Sequence, residues 1–363
     1  MAKRKGYSPI GIDLQHHTAK MVQFHHGPAG TRLAACASVA FSETIGKLED
    51  HAPQSLVSDL REAVKRGGFR GNSAVLALPP VKVDVRTLTL PGSDGDLDKM
   101  LKWEAESYLH YDVANARIDH VKLGDVAVGN EKRSEVLVAA ADATYLRELL
   151  DLFGKARIHV FAIDIVPMAL CRVCSFVGPD AAAQPTGIID IGRTSSIAAI
   201  ANRGDLRLTR VISRGGDELT MRIKDNLEIT QEEAEILKKE YGIGTPGSVS
   251  FGEQQELVTK TEIAGTVHEI LRHDLDDLAS EFQKLFRYFA AQCKGASVTR
   301  GYLCGGGGKL KGLDSFLSER TGVRIEALPP IASLLPPLDG GPGECGIEFA
   351  VAAGLALRAP DQL

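Results

Sequence analysis

The chain has 363 residues, 44% of them hydrophobic, with a formal net charge of −5 and six cysteines. That apolar content supports a sizeable core, split into two lobes at this length, and the missing basic field excludes nucleic-acid binding by bulk electrostatics. No apolar run approaches the roughly 18–20 residues that span a bilayer, and no signal-peptide stretch is present, so a soluble, cytoplasmic protein is expected.

In chain order, the basic head with Lys3, Arg4 and Lys5 reads as a solvated tail. Residues 10–24 read as an apolar strand carrying Asp13, a turn and a second strand. A strand follows over 31–41, and 54–67 shows helical spacing in Leu56, Val57, Leu60 and Val64 before a Gly67-Gly68 stop. A buried strand over 73–78 halts at Pro79-Pro80. Then the pattern changes: 81–90 alternates, 97–109 is an amphipathic helix with the single tryptophan, Trp103, and 136–141 is a strand. These form a small α+β unit inserted in the first lobe. A helix over 145–154, a strand over 158–165 and a helix over 167–176 close that lobe.

The alanine-rich stretch 178–184 marks the boundary. The expected lobes are therefore 1–180, with the insert at about 81–160, and 181–363, with a helical insertion at about 225–295. Residues 187–200 repeat the scheme of 10–24, with Asp190 in the place of Asp13. A strand over 206–213 runs into Gly215-Gly216 and a helix from Asp217, an entry that lets a helix N-terminus approach a ligand. A charged helix over 231–241, a loop over 242–252 and a long helix over 267–293 follow, the last with Val267, Leu271, Leu275, Leu278, Phe282 and Phe289 on one stripe. The strand 300–304 feeds Gly305 to Gly308; a helix to Thr321, a strand, a proline-rich loop and a helix over 347–358 complete the chain.

Several patterns bear on chemistry. The turn after Asp190 holds Gly192, Thr194 and Ser195, whose N–H and hydroxyl groups suit phosphate, although glycine and small hydroxyl residues serve any tight turn. Asp13 and Asp190 follow apolar strands, where a carboxylate is costly unless solvated in a cleft or paired with a cation. Such a pair suits Mg²⁺ held through waters; turn bonding by the same side chains is the alternative. Gly305, Gly306 and Gly307 open a strand-to-helix turn where a base or a phosphate can lie against bare backbone. Lys309 is followed by Leu310, which excludes both a Walker loop and the dinucleotide fingerprint. His268-Glu269 with His273 fails the zinc-protease spacing, because histidines five apart diverge on a helix. Cys171 and Cys174 lack a second pair at zinc spacing, so buried, reduced thiols are expected.

Two Asp-headed hairpins, a late glycine turn and the final Ala353-Gly354 helix together resemble the actin-like ATPase superfamily, an α/β fold of two duplicated ribonuclease H-like lobes. Within it, the segment from Trp103 to Leu109, Ala162 to Pro167, Gly215 to Thr220, Glu233 to Lys238 and Leu303 to Gly307 resemble the PilM family of type IV pilus machines, over nearly the whole chain and in the same order. The resemblance implies ATP with Mg²⁺, an inserted α+β subdomain like that of FtsA, and a first phosphate loop from Asp13 to Lys20 that includes Thr18. It also implies that Asp190 to Ser196 is the second phosphate loop, that Glu235 and Lys238 border adenine and ribose, and that Gly305 to Gly307 form the adenosine turn. Its implied partner is the cytoplasmic N-terminal tail of a PilN-like membrane protein, which would place the protein peripherally at the inner membrane.

One departure alters the expected activity. Gln15, His16 and His17 stand where the first loop of the superfamily carries glycine and small hydroxyl residues. Bulky side chains there crowd a γ-phosphate, which predicts an ATP-binding scaffold with weak or absent hydrolysis. The alternatives are an active ATPase or small-molecule kinase of the superfamily, and an FtsA-like filament former; the last is disfavoured because residues 359–363 carry no amphipathic membrane helix.

Overall fold

A computed structural model describes residues 6–15, 17–42, 53–91, 97–128, 131–178, 184–244, 254–293, 296–342 and 344–358. The basic head at 3–5, His16, most of the expected boundary and 242–252 loop, and the end at 359–363 lie outside the described residues. The chain divides into two compact units: Met1–Phe176 with Asp205–Arg207 and Pro330–Leu363, and Val177–Gly204 with Leu208–Pro329.

The first unit begins with β1 (Gly6–Tyr7), β2 (Ile10–Leu14), β3 (Thr18–Gly27), β4 (Gly30–Ala40), α1 (Gln54–Arg66) and β5 (Ser73–Ala77). It continues through β6 (Asp84–Pro91), α2 (Leu97–Glu106), β7 (Ala116–Val128), β8 (Glu131–Asp142), α3 (Ala143–Lys155), β9 (His159–Asp164) and α4 (Val166–Cys174). Its main sheet runs β1-β3-β2-β5-β9 with β4 also on β3. The β2–β3 and β3–β4 pairs are antiparallel; β2–β5 and β5–β9 are parallel. Two helix starts follow local chemistry: Asp142 caps α3 by accepting from the N–H groups of Thr144 and Tyr145, and Pro167 sits in the first turn of α4, where its missing N–H costs nothing.

The insert is a separate sheet of order β6-β8-β7 over a small core of Leu90, Leu101, Val136 and Val138. β8 starts before the apolar alternation because residues 131–133 are charged or exposed. β7 is legible only from its pairing with β8: its sequence mixes charged and apolar residues, as an edge strand permits.

The second unit holds β10 (Thr186–Ile191), β11 (Ser196–Asn202), β12 (Asp205–Ile212, in this unit from Leu208 on), α5 (Gly216–Leu227), α6 (Gln231–Tyr241), α7 (Gln254–Gln292), β13 (Arg300–Cys304), α8 (Leu313–Thr321) and β14 (Arg324–Ala327). Its sheet order is β12-β11-β10-β13-β14. A capping box of Thr230 and Glu233 starts α6. The stripe on α7 is buried from Val267 to Phe289 against Ile189, Ile200 and Phe316. The helix itself begins earlier, at Gln254, because Gln, Glu and Lys sustain a helix that no apolar stripe reveals.

The two sheets share one plan. β4-β3-β2-β5-β9 and β12-β11-β10-β13-β14 each place three antiparallel strands beside two parallel ones. Registers agree too: Asp13 lies opposite Ala77 on the parallel neighbour, and Asp190 opposite Cys304. This is the duplicated α/β architecture of the actin-like fold.

The C-terminal segment returns to the first unit through α9 (Ile331–Leu334) and α10 (Ala350–Ala356). A Cβ on Gly11 would overlap the Ala352 carbonyl, and one on Gly354 the Ala169 carbonyl. Bare backbone at both positions lets α10 seat against β2 and α4. No helix among the described residues is long and apolar enough to cross a membrane.

Candidate functional site

In the second unit the residues singled out in the sequence converge. Asp190, half-buried near the end of β10, leads into a tight turn closed by the Gly192 N–H donating to the Ser195 carbonyl at 2.9 Å. Thr194 is exposed on that turn, whereas Ser195 and Ser196 are buried, and the Ser196 hydroxyl donates to the Arg214 carbonyl at 2.7 Å. The Gly305–Gly307 turn packs on the same strand end: Gly305 has φ +81°, and a Cβ there would stand 2.5 Å from Asp190 Oδ1 and from the Ile191 carbonyl. Gly307 likewise has no room beside Ile191, whereas a Cβ on Gly306 would meet nothing within 4 Å. The turn is therefore closed on the strand side and bare on the other.

The start of α5 is tied to the phosphate-type turn. The Gly216 N–H donates to the Gly192 carbonyl at 3.0 Å and the Asp217 N–H to the Arg193 carbonyl at 2.8 Å. Gly215 permits this approach, since a Cβ would be 2.5 Å from the Arg193 carbonyl. Arg193 Nε also donates to both carboxylate oxygens of Asp217, at 2.9 and 2.8 Å. No spacing rule announces this pair, because the two residues belong to different elements.

Behind it, α6 supplies Glu235 and Lys238. Lys238 is 9% exposed, and its Nζ donates to the Gly216 carbonyl at 2.9 Å, to Thr220 Oγ1 at 2.6 Å and to Glu235 Oε2 at 2.6 Å. Thr220 in turn donates to Glu235 Oε2 at 2.6 Å. Burial opposes the charged Glu235 carboxyl and is the largest single influence, but hydrogen bonds from Lys238, Thr220 and Lys239 together outweigh it and hold the group down to about 2. Thr220 was missed in the sequence; its signal is its place one helical turn after Gly216. At the far end of α6, Gly242 at φ +62° lies against Lys311, and the Ile243 N–H donates to the Lys311 carbonyl at 2.9 Å. The turn, α5, α6 and the glycine connection thus form one hydrogen-bonded group.

The first unit holds the other predicted set. Asp13 is 6% exposed on β2, opposite Lys20 on β3. Gln15 Nε2 donates to Asp13 Oδ2 at 3.1 Å, and Gln15 Oε1 accepts from the Thr18 hydroxyl at 3.2 Å. Burial raises the Asp13 carboxyl above its usual range, only partly countered by Lys20 and Gln15. Two strands away in the same sheet, Asp164 at the end of β9 receives Arg172 and, at 3.0 Å, Arg358 Nη1, and Arg172 Nη1 donates to the Gly354 carbonyl at 2.6 Å. This ion cluster, which no local pattern signals, pins α4 to the C-terminal segment. His268, rejected as a zinc ligand, has its Nδ1 3.1 Å from the Ile243 carbonyl, and among the described residues no three His, Cys, Asp or Glu side chains are grouped to hold a metal.

The duplicated sheet plan is that of the actin-like ATPase fold, and the carboxylate, glycine turn, small-residue loop and lysine–glutamate pair all lie in the second of its two units. The sequence model of the type IV pilus assembly protein PilM family matches residues 11–250, and the chain belongs to that family. The model of cell division protein FtsA matches residues 187–336. Among curated proteins, FtsA of Bacillus subtilis (strain 168) is 28% identical over 39% of this chain and 34% of its own length. FtsA of Streptococcus pneumoniae serotype 2 (strain D39 / NCTC 7466) is 26% identical over 53% of this chain and 42% of its own. The chain thus matches well under half the length of these relatives. Among solved structures, a PilM-PilN type IV pilus biogenesis complex has a chain 24% identical, with TM-score 0.73 over 96% of this chain and 98% of that one.

Proposed function

We propose that the protein is an ATP-binding scaffold of a type IV pilus machine and that it holds the cytoplasmic N-terminal tail of a PilN-like membrane protein. The observation that carries the nucleotide half is the one-sided glycine turn: Gly305 and Gly307 are packed on Asp190 and Ile191, while Gly306 faces open space. A flat base or a phosphate is the kind of group that bare backbone admits. Asp190, Gly192, Thr194, Ser195, Gly215 and Gly216 form its phosphate side and Glu235 and Lys238 its nucleoside side; Asp13, Thr18 and Lys20 belong to the separate loop of the first unit, to which the family resemblance assigns phosphate. Single carboxylates at strand ends, Asp13 and Asp190, have the donor chemistry for Mg²⁺ that keeps its waters; bound there, the ion neutralises phosphate charge. The partner half is supported by membership of the PilM family and by the likeness to a chain solved in complex with PilN.

Nucleotide binding in this reading biases a partner-binding conformation and yields no chemical product that the machine consumes. Gln15 already occupies the first loop by bonding to Asp13 and Thr18, which supports weak or absent hydrolysis.

The test uses Gly306→Leu, which the helical φ of −64° and ψ of −40° at Gly306 tolerate. Circular dichroism and thermal unfolding should match the wild type, while titration with ATP and Mg²⁺ should show at least a tenfold loss of affinity. Undiminished binding by the folded variant would remove the turn from the site. Capture of a synthetic PilN-like tail peptide, with and without ATP, tests the partner half separately.

A further inference from the structure

The outer edge of β4 is met by the C-terminal segment. The Leu33 N–H donates to the Pro336 carbonyl at 2.9 Å and the Leu338 N–H to the Leu33 carbonyl at 2.8 Å, a short parallel bridge. Three residues further along β4, the Cys36 thiol reaches across to the Glu344 carbonyl at 3.5 Å. The next residue is Cys345, and a side-chain hydrogen bond joins the two thiols. Cys345 is 2% exposed, whereas Cys36 is only half-buried and open to small solutes. The segment is held there by backbone bonds, among them the Ala332 N–H to the Cys345 carbonyl at 3.2 Å.

We infer that Cys36 and Cys345 form a reversible disulfide, a clasp that fixes the C-terminal segment to the edge of β4. The other thiols contrast with this pair. Cys171 and Cys174 share one helix and are buried, with burial pushing the Cys171 thiol up to about 12; Cys304 is spent on the Ile189 carbonyl at 3.4 Å.

The reaction needs a peroxide as oxidant. The hydrogen bond from Cys345 lowers the Cys36 thiol and raises that of Cys345, so Cys36 is the first nucleophile. Its thiolate attacks one peroxide oxygen; the S–O bond forms, the O–O bond breaks, and the departing hydroxide takes a proton to become water. Cys345 then attacks the Cys36 sulfur, the S–S bond forms, the S–O bond breaks, and the second hydroxide leaves as water with the Cys345 proton. Two thiols lose two electrons and the peroxide gains them. A small dithiol reverses the step by exchange.

The clasp closes the chain between its first sheet and the segment that carries α10, so it restricts the unfolded chain over a long loop and raises stability. The experiment treats the whole protein with equimolar hydrogen peroxide, blocks remaining thiols, and maps peptides by mass spectrometry. The expected result is a linked pair of peptides containing Cys36 and Cys345, the loss of two of the six free thiols, and a thermal midpoint several degrees higher, all reversed by dithiothreitol. Cys36→Ser, at a half-exposed site, should keep the reduced midpoint and lose both linkage and shift; Cys345→Ala is the second variant. Cys36 ending as sulfinic acid without linkage, a linkage elsewhere, or a shift retained in Cys36→Ser would each overturn the assignment.

Discussion

Gln15 donates to Asp13 Oδ2 at 3.1 Å and thereby stands over the carboxylate that heads the first hairpin. Its own oxygen is engaged by Thr18, so the side chain bridges both arms of the loop. Gln15→Gly removes two hydrogen bonds at a cost of about 0.5–1.5 kcal/mol each and clears the space that a terminal phosphate needs. Phosphate release from ATP should rise above that of the wild type, as read in a colorimetric assay. An unchanged rate in a folded variant would place the limit on hydrolysis outside this residue.

Asp13 gives a pH prediction. Its folded pKa is raised above the ordinary 3.8 by burial, so the fold favours the protonated form. Whatever stability that protonation adds is fully present below the unfolded value and is lost as pH rises through the folded one. Asp13→Asn, which never ionises, should therefore have a higher thermal midpoint than the wild type at pH 7. The gap should shrink toward zero as the buffer is taken down to pH 4.

For Glu235 the sign is reversed. Its carboxyl lies at about 2 against an ordinary 4.5, so it stabilises the fold above pH 4.5, and that contribution is lost as pH falls from there toward 2. Glu235 is itself 36% exposed and one of its three partners, Lys239, lies largely in solvent, which tempers the size of the effect. Lys238→Ala removes its main partner and the bonds to Gly216 and Thr220, and should cost about 2 kcal/mol at pH 7 in a urea melt. Its stability should then fall less steeply than that of the wild type between pH 5 and pH 3.

Asp164→Ala leaves Arg172 and Arg358, 17% and 14% exposed, without their shared carboxylate. Breaking a buried ion cluster from one side is costly, about 3 kcal/mol, and denaturant unfolding should show it. Asp164→Asn keeps one acceptor and should lose less.

Gly305→Ala meets both a positive φ and a Cβ position 2.5 Å from Asp190 Oδ1. A loss of roughly 2–4 kcal/mol is expected, against near-neutrality for Gly306→Ala, and parallel thermal melts compare the two directly.

How much of this was open to reading in the residues depends on how local the cause is. The strand-ending aspartates, the Gly305 turn and the α7 stripe are written in adjacent residues or fixed periods, and they appear where the pattern puts them. Membership of the PilM family and the actin-like fold followed from motif order, which the family match over residues 11–250 bears out. β7 was not readable because an edge strand needs no alternation, and its partner β8 imposes its conformation. Arg193–Asp217, Thr220–Glu235 and Asp164–Arg358 join elements far apart in sequence, and only the folded chain reveals them. The helix over 347–358 was expected as an element, but its seat against Gly11 is a matter of two missing Cβ atoms.

The shared plan of the two sheets also locates the insert in mechanical terms. In the second unit the crossover from β13 to the parallel β14 consists of the glycine turn and α8, whereas in the first the crossover from β5 to β9 has been lengthened into β6, α2, β7, β8 and α3. Its root is Ala77, the residue in register with both Asp13 and Asp164. The strand from which the insert departs is therefore the one lying between those two carboxylates, and the chain returns from it through α3 to the strand that carries Asp164.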